Sequence, residues 1–244
     1  MISAFVAHPA DRLAEYFDVA TIDALRASTA RRRRVNRRAR ADLCDDSAFM
    51  SETNPVAPSS PSVAAAHGSG ATVQQLSATQ IRDAISELVA LLQDAIDGNA
   101  SVGFVRPVAE GELEAFWHEV ALDVDDGLRS LLVSRCDGAI AGSVILALAM
   151  KSNQRHRAEV QKLLVRRDAR RRGLATALMQ QVEELALRSG RWLLTLDTRS
   201  DSGAAKLYRG RGYVEAGAIP DYASDPDRQL ASCTFFFKPL RGSR

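Results

Sequence analysis

The sequence predicts an α+β (mixed α/β) domain in which helices cover both faces of a mixed β-sheet. Apolar residues recur with a helical period in several segments, and short apolar runs of strand length lie between those segments. Two of the runs are joined by an Asp-Gly turn, which is typical of a hairpin, and later runs alternate with helices. A hairpin followed by strand–helix–strand units favours a sheet of this kind.

The first half of the domain predicts one strand, two helices and the hairpin. The longer helix places its apolar residues on one face, and the hairpin turns at Asp137-Gly138. The predicted elements are a strand at 72–77, helices at 77–97 and 108–122, and strands at 128–134 and 140–150.

The second half of the domain alternates strands with helices. The longest of these helices carries a regular apolar stripe that one face of the sheet would bury. Trp117, Tyr222 and Phe235–Phe237 are expected in the core rather than in a binding site. The predicted elements are a strand at 157–165, a helix at 174–188, a strand at 192–197, a short helix at 202–210 and strands at 212–217 and 232–238.

The chain divides into three compositional zones. Residues 1–49 are Arg-rich, with seven arginines at 31–40, and residues 50–70 form a Ser/Pro/Ala linker without an apolar period. The folded domain is expected at 71–240. Because Met50 resembles an ordinary translation start, we expect residues 1–49 to lie outside the functional chain. As a genuine segment, the arginine run would instead contact nucleic acid or other acidic surfaces.

Composition and charge exclude several classes of protein. The 244 residues are 46% hydrophobic and 25% charged, as in globular proteins, and the formal net charge is only +2. No stretch approaches the ~20 apolar residues that a membrane span needs. The three cysteines and four histidines lack the spacing of metal ligands, so no metal is predicted. Since the N-terminus also lacks a basic leader, we expect a cytoplasmic protein without a membrane partner.

The most informative segment is KLLVRRDARRRGLATALM at 162–179. An apolar strand ends at Val165, an arginine-rich loop follows, and Gly173 precedes an amphipathic helix. The first amides of a helix have no intrahelical acceptor and lie at the positive end of the helix dipole. The turn is therefore suited to bind phosphate groups.

Two motifs resemble those of the GNAT acyltransferases. Residues 170–175, RRRGLA, resemble the Q/R-x-x-G-x-G/A signature, and 204–213 resemble a second motif, A-x-x-x-Y-x-x-x-G-Y. The resemblance covers roughly 71–240. It implies a sheet that splays at the strand ending in Val165, and acetyl-CoA as co-substrate. The implied acetyl-CoA-binding residues are Leu163, Leu164, Val165, Arg170, Arg171, Arg172, Gly173, Leu174, Ala175, Thr176, Asp201 (where many members have Asn) and Ala204.

Amine acetylation needs a base for the ammonium group and a proton donor for the departing thiolate. The resemblance implies Tyr208 as the donor and a carboxylate on the strand at 157–165, namely Glu159, as the base. Asp197 ends the next strand, where open sheets place ligands, and would be a second base or an anchor for the ammonium. Structural roles stay open for all three: a buried tyrosine, an ion-paired Glu159 and a helix-capping Asp197.

Strand alternation predicts which side chains share a face with this candidate base. It places Glu159, Gln161 and Leu163 on one face of the strand. Val160, Lys162 and Leu164 would then lie on the other face.

The sequence therefore predicts an acetyl-CoA-dependent N-acetyltransferase that acts on a primary amine of a small molecule. Likeness of 156–165 and 197–208 to the tabtoxin-resistance subgroup implies an antibiotic or toxin as acceptor. A protein acetyltransferase for N-terminal or lysine amines stays open, with Asp221, Asp225 and Asp227 available to a basic peptide. A non-enzymatic acyl-CoA-binding module and a homodimer also stay open.

Overall fold

The computed structural model of the chain describes residues 72–241. The predicted Arg-rich extension at 1–49 and linker at 50–70 lie outside these residues. The described helices are α1 (Ala78–Asp83), α2 (Ile85–Asp97), α3 (Glu112–Asp125), α4 (Leu174–Arg188) and α5 (Ala204–Gly210). The strands are β1 (Thr72–Leu76), β2 (Arg129–Cys136), β3 (Ala139–Leu148), β4 (Arg157–Val165), β5 (Leu193–Arg199), β6 (Val214–Ser224) and β7 (Leu230–Pro239).

The seven strands form one mixed sheet in the order β1-β2-β3-β4-β5-β7-β6. Only β4 and β5 pair in parallel, and the other neighbours are antiparallel. The predicted fold class is therefore confirmed. The last hairpin is longer than predicted, because β6 and β7 stay paired through two register shifts.

The single helix predicted at 77–97 was wrong, because the chain forms two helices there. Ser77 caps α1 through a reciprocal pair of hydrogen bonds with Gln80. At Ala84 the backbone leaves helical geometry, and its amide bonds to the oxygens of both Gln80 and Ile81. Before this turn α1 packs on α3, whereas beyond it α2 packs on α3 and also on β3 and β4.

Helices cover the sheet in two layers. One layer consists of α1–α3 and packs on inward side chains of β2–β4, including Leu131, Val133, Ile145 and Leu164. The other consists of α4 and α5 and packs on the opposite face, including Val144, Leu146, Val160 and Leu194. Within residues 72–241, the helices are all too short or too polar to cross a membrane.

Candidate active site

An opening in the sheet lies between β4 and β5. These neighbours pair over only three residues of each strand, and Glu159 and Thr195 are the last pair. Beyond it, β4 continues to Val165 beside β3, and β5 continues to Arg199 beside β7. The strands therefore diverge as the resemblance implied, and we call the wedge beyond Glu159 the cleft.

The turn between β4 and α4, residues 166–173, borders the cleft, and we call it the arginine turn. Gly173 is the N-cap of α4 with φ of 79°, and a Cβ built there would meet nothing within 4 Å. The amide of Ala177 donates to the oxygen of Gly173, so the amides of 174–176 have no acceptor within the helix. A cavity of about 180 Å³ lies here, lined by Val165, Arg170, Arg171, Gly173, Leu174, Ala175 and Thr176.

Only part of the positive charge near this turn is free. Arg166 pairs with Asp168 at 2.7 Å, and Arg167 pairs with Asp94 at 2.9 Å. The arginines at 170–172 form no ion pair with any residue from 72 to 241. Arg170 and Arg171 also line the cavity and are the cations available to an anionic ligand there, whereas Arg172 donates to Cys136 Sγ at 3.3 Å.

A bulge in β4 reverses the predicted side-chain alternation. Lys162 has φ of 49°, and the register with β3 shifts there, so that Lys162 and Leu163 together oppose Val144. Val160 consequently packs in the α4 layer and Leu164 in the α1–α3 layer. The prediction that these two residues share a face was wrong, because the bulge inserts one residue between them.

The same bulge directs Lys162 into the α1–α3 face, away from the arginine turn. Its Nζ donates to the carbonyl oxygen of Val102 at 2.6 Å and lies 5.1 Å from the centre of the Phe116 ring. Burial, followed by the positive charge of Arg129, lowers the pKa of Lys162, and Asp197 opposes this shift. Lys162 therefore adds positive charge near Asp197 rather than at the turn.

The two candidate carboxylates project from the same face of the sheet. The neighbours of Glu159 and Asp197 along β4 and β5 are buried in the α4 layer, so both carboxylates point to the opposite side. Glu159 accepts a hydrogen bond from Gln161 Nε2 at 3.0 Å. Asp197 reaches solvent at the cleft, and desolvation by the cleft walls, followed by the charge of Glu159, raises its pKa. The structure thus brings both residues to one side of the cleft.

Tyr208 lies on α5, in the layer on the other face of the sheet. Its ring centre is 5.8 Å from those of Tyr213 and Phe236, and the residue is buried. Burial, followed by the charge of Asp197, raises the pKa of Tyr208. The phenol therefore stays protonated across the physiological pH range.

The remaining predicted acetyl-CoA contacts differ in their access to the cleft. Asp201 is exposed, but Arg199 binds it through two hydrogen bonds of 2.6 and 2.8 Å, and this bonding lowers its pKa. Ala204 begins α5 and packs with Leu163 against the α4 layer. Leu164 is buried on the other face, so only its backbone is available to a ligand in the cleft. Acetyl-CoA binding by these residues stays a prediction.

The expectation that the aromatic residues lie in the core is confirmed for Trp117 and Phe236, which are fully buried. It was wrong for Tyr222, Phe235 and Phe237, which we call the aromatic shelf. Phe235 and Phe237 are half-buried, and Tyr222 is 50% exposed and contacts the Phe235 ring edge-on. Alternation along Phe235-Phe236-Phe237 was the available signal, since only every second side chain of a strand faces the same layer.

An ion-pair network around the buried Asp225, which we call the clasp, joins the β6–β7 turn to the loop after α2. Asp225 accepts from the amides of Asp227 and Gln229, and these bonds, the Gln229 bond first, lower its pKa. Its other carboxylate oxygen accepts from Asn99 at 3.2 Å and Arg199 at 3.4 Å, and Arg106 pairs with Asp227 at 2.7 Å. Asp225 and Asp227 are thus already bonded within the protein, which argues against the basic-peptide groove.

Residues 91–213 match the model of the Acetyltransferase (GNAT) family. An uncharacterised N-acetyltransferase from Azospirillum brasilense is 35% identical to the chain over 130 residues, covering 52% of this chain and 75% of that protein. A ribosomal-protein-alanine N-acetyltransferase structure from Brucella melitensis superposes with a TM-score of 0.59 at 19% identity, covering 69% and 99% of the two chains. A Salmonella typhimurium structure, described as an acetyltransferase with its cofactor acetyl-CoA, superposes with a TM-score of 0.59 at 16% identity. The match covers 72% of this chain and 97% of that chain. At these identities, the two structures show a shared fold.

Proposed function

The chain belongs to the GNAT acetyltransferase family and is an N-acetyltransferase, and we propose that it transfers the acetyl group of acetyl-CoA to a primary amine of a small molecule. The observation that supports this proposal is the meeting of the cleft with the arginine turn at the end of β4. The cleft would admit an extended ligand between the strands, and the arginine turn would bind its anionic groups. A cytoplasmic location belongs to the same proposal.

The residues present fit the phosphate groups of acetyl-CoA. The space at Gly173 admits a close approach by phosphate, and the free amides of 174–176 are directed at that space. Arg170 and Arg171, which have no ion-pair partner among residues 72–241, line this space and would bind further phosphate oxygens. Acetyl-CoA, when bound, supplies the acetyl group as a reactive thioester.

The diverging edges of β4 and β5 would hold the rest of this co-substrate. Beyond Glu159, the edge of β4 that faces β5 pairs with no strand of residues 72–241, so backbone groups along this edge can bond to an amide-containing ligand. A backbone amide near the end of β4 would also polarise the thioester carbonyl.

Glu159 and Asp197 would receive the amine. Two carboxylates on one side of the cleft attract an ammonium group, and Glu159 would take its proton so that nitrogen can attack. The raised pKa of Asp197 makes this carboxylate more basic than an ordinary aspartate. Asp197 would orient the ammonium or share the role of base.

Tyr208 would stabilise the departing sulfur. A phenol of ordinary pKa is a reasonable proton donor to a thiolate, but a raised pKa makes complete transfer less favourable. We therefore assign Tyr208 a hydrogen bond to the sulfur as negative charge develops there. This differs from the full proton transfer that the sequence predicted.

The acceptor class is the least constrained part of the proposal. The likeness to the tabtoxin-resistance subgroup favours an antibiotic or toxin. The alternative is a protein amine, as in the Brucella melitensis enzyme, but the clasp engages two of the three acids that a basic peptide would need.

A thiol-release assay tests the proposed function. The full chain is incubated with acetyl-CoA and a panel of small amines, amino-acid toxins and basic peptides, and acetyl-CoA binding is measured separately by calorimetry. We expect calorimetric binding and thiol release with small amines. Release with peptides alone would contradict the small-molecule acceptor, and the absence of acetyl-CoA binding would contradict the proposal as a whole.

A further inference from the structure

We propose that the acceptor is a protonated amine on an aromatic body that carries no anionic group. The inference rests on the proposed function, since it concerns the acceptor side of the same cleft. Two observations support it: the aromatic shelf lies beside the two carboxylates, and the nearby cations are bonded to other groups of the protein.

The sheet register places the shelf next to the carboxylates. Asp197 lies directly opposite Phe235 on β7, and Thr195, the partner of Glu159, lies directly opposite Phe237. Directly opposed residues of antiparallel strands project from the same face, so both phenylalanines share the face of Glu159 and Asp197. An ammonium held between the carboxylates would therefore have aromatic rings beside it.

The described helices leave this part of the face uncovered. The α1–α3 layer packs on β2, β3 and β4, and none of the shelf residues belongs to the buried clusters of residues 72–241. Tyr222 remains 50% exposed, although its ring centre lies 4.9 Å from that of Phe235. Exposed aromatic surface beside a polar site is characteristic of ligand binding, and an ammonium gains further from lying over aromatic rings.

The cations of this face are held by other groups. Arg199 is bound by Asp201 and Asp225, and Lys162 donates to the Val102 carbonyl. Arg129 pairs with Asp123 at 3.1 Å. A carboxylate on the acceptor would therefore meet Glu159 and Asp197, while these cations already bond within residues 72–241, as does Arg228, which donates to the carbonyl oxygen of Arg106.

Arg157 is the cation that an amino-acid acceptor would use instead. It precedes Glu159 by two residues on the same face, where β4 and β5 are still paired, and donates to Gln154 at 3.0 Å. It thus lies on the opposite side of Glu159 from Asp197 and Phe235. An acceptor that places its body on Phe235 and its carboxylate at Arg157 must therefore span both carboxylates.

Matched acceptor pairs test the inference on the full chain. We compare phenethylamine with phenylalanine, tryptamine with tryptophan, and phenethylamine with butylamine, measuring thiol release. We expect kcat/KM to be at least about tenfold higher for phenethylamine than for butylamine, the range that a missing apolar group produces in a binding pocket. We also expect it to be at least about tenfold higher for phenethylamine than for phenylalanine and for tryptamine than for tryptophan, because Glu159 and Asp197 would repel the carboxylate of the amino acid. Equal or faster acetylation of the amino acids or of butylamine would overturn the proposal.

Variants of the shelf test whether its aromatic residues cause the preference for aromatic amines. Tyr222→Ala should lower kcat/KM for phenethylamine about tenfold, and for butylamine by less, since butylamine has no ring to contact Tyr222. Leu230→Ala is the matched control, because Leu230 is 66% exposed on β7 and alternation places it on the opposite face. An equal effect of both variants, or none with Tyr222→Ala, would overturn the proposal.

Two measurements separate this inference from the proposed function. Calorimetric binding of acetyl-CoA tests the co-substrate site independently of the acceptor, and a loss of that binding counts against the proposed function. If acetyl-CoA binds but no aromatic amine reacts, the acceptor inference alone is overturned. A self-association that weakens in Tyr222→Ala, with amine kinetics unchanged, would assign the shelf to a second copy of the chain and would also overturn it.

Discussion

The two sides of the cleft are constructed in different ways. The side proposed for acetyl-CoA comes from one continuous stretch, in which β4 leads through the arginine turn into α4. The acceptor side draws on β4, β5, β6 and β7, whose residues meet only through strand pairing. A site built from adjacent residues can be recognised by its spacing, whereas a site built from paired strands depends on register. The two sides should also respond differently to substitution.

The largest effect is expected at the base on the acceptor side. Glu159→Gln should lower kcat about 10²–10⁴-fold, the usual contribution of general base catalysis, and should remove the acidic limb of the pH–rate profile. Acetyl-CoA affinity should stay unchanged, because the phosphates would lie at the arginine turn. Full activity in Glu159→Gln would instead make Asp197, water or an already neutral amine responsible for this step.

The next largest effect is expected at Tyr208. Tyr208→Phe should lower kcat about 10²–10³-fold, the loss seen when one donor to a developing charge is removed. Tyr213→Phe is the control, because Tyr213 is a neighbouring buried tyrosine whose pKa burial also raises. Equal losses in both variants would indicate a packing role for Tyr208 rather than contact with the sulfur.

A change at the arginine turn should affect affinity rather than rate. Gly173→Asp should weaken acetyl-CoA binding about 10²-fold, because a carboxylate would replace phosphate at the free amides and the positive φ strains any side chain. Gly190→Asp is a matched control at the other end of α4, with φ of 72° and open space around its Cβ. Calorimetry showing the same affinity in folded Gly173→Asp would remove the turn from the co-substrate site.

A smaller effect is expected at Asp197, with opposite signs for activity and stability. Asp197→Asn should lower kcat/KM about tenfold by removing one charge that attracts the ammonium. A raised pKa means that the folded state holds the proton more tightly than the unfolded state, so the ionised carboxylate destabilises the fold as pH rises. The variant should therefore melt at a higher temperature than the parent at pH 7, and the difference should shrink as pH falls. Melting curves at several pH values check this.

The smallest effect is expected from the segment that precedes the domain. Removing residues 1–49 should leave turnover and melting temperature nearly unchanged, because a linker without apolar periodicity separates them from the domain. A large loss of either quantity would show that this segment contributes to the site.

The difference between the two sides also sets how much the sequence predicts. The bounds of β4 and α4 agree with the prediction residue for residue, because β4 alternates apolar with polar residues before an apolar end and α4 carries a regular apolar stripe. The turn between them is predicted from its glycine and arginines alone. By contrast, alternation predicts the wrong face for Lys162, because a bulge adds one residue without changing the apolar pattern.

The residues of the shelf show why the acceptor side was missed. Three consecutive phenylalanines suggest a core. Alternation divides them between two faces, but which face the helices cover at this point follows only once β7 is known to pair with β5 and β6. Similarly, the bond between Asp225 and Asn99 joins residues 126 positions apart, a distance over which spacing carries no signal.

The clasp has a consequence for the order in which the enzyme becomes active during synthesis. Chains emerge from the ribosome N-terminus first, so the segment through α4 is available before the turn at Asp225 exists. The loop around Asn99 lacks its bonds to Asp225 and Asp227 until that turn is made. A nascent chain released before residue 225 would thus contain every residue of the proposed phosphate site but an incomplete acceptor side of the cleft. The ability to transfer acetyl groups would therefore be acquired last.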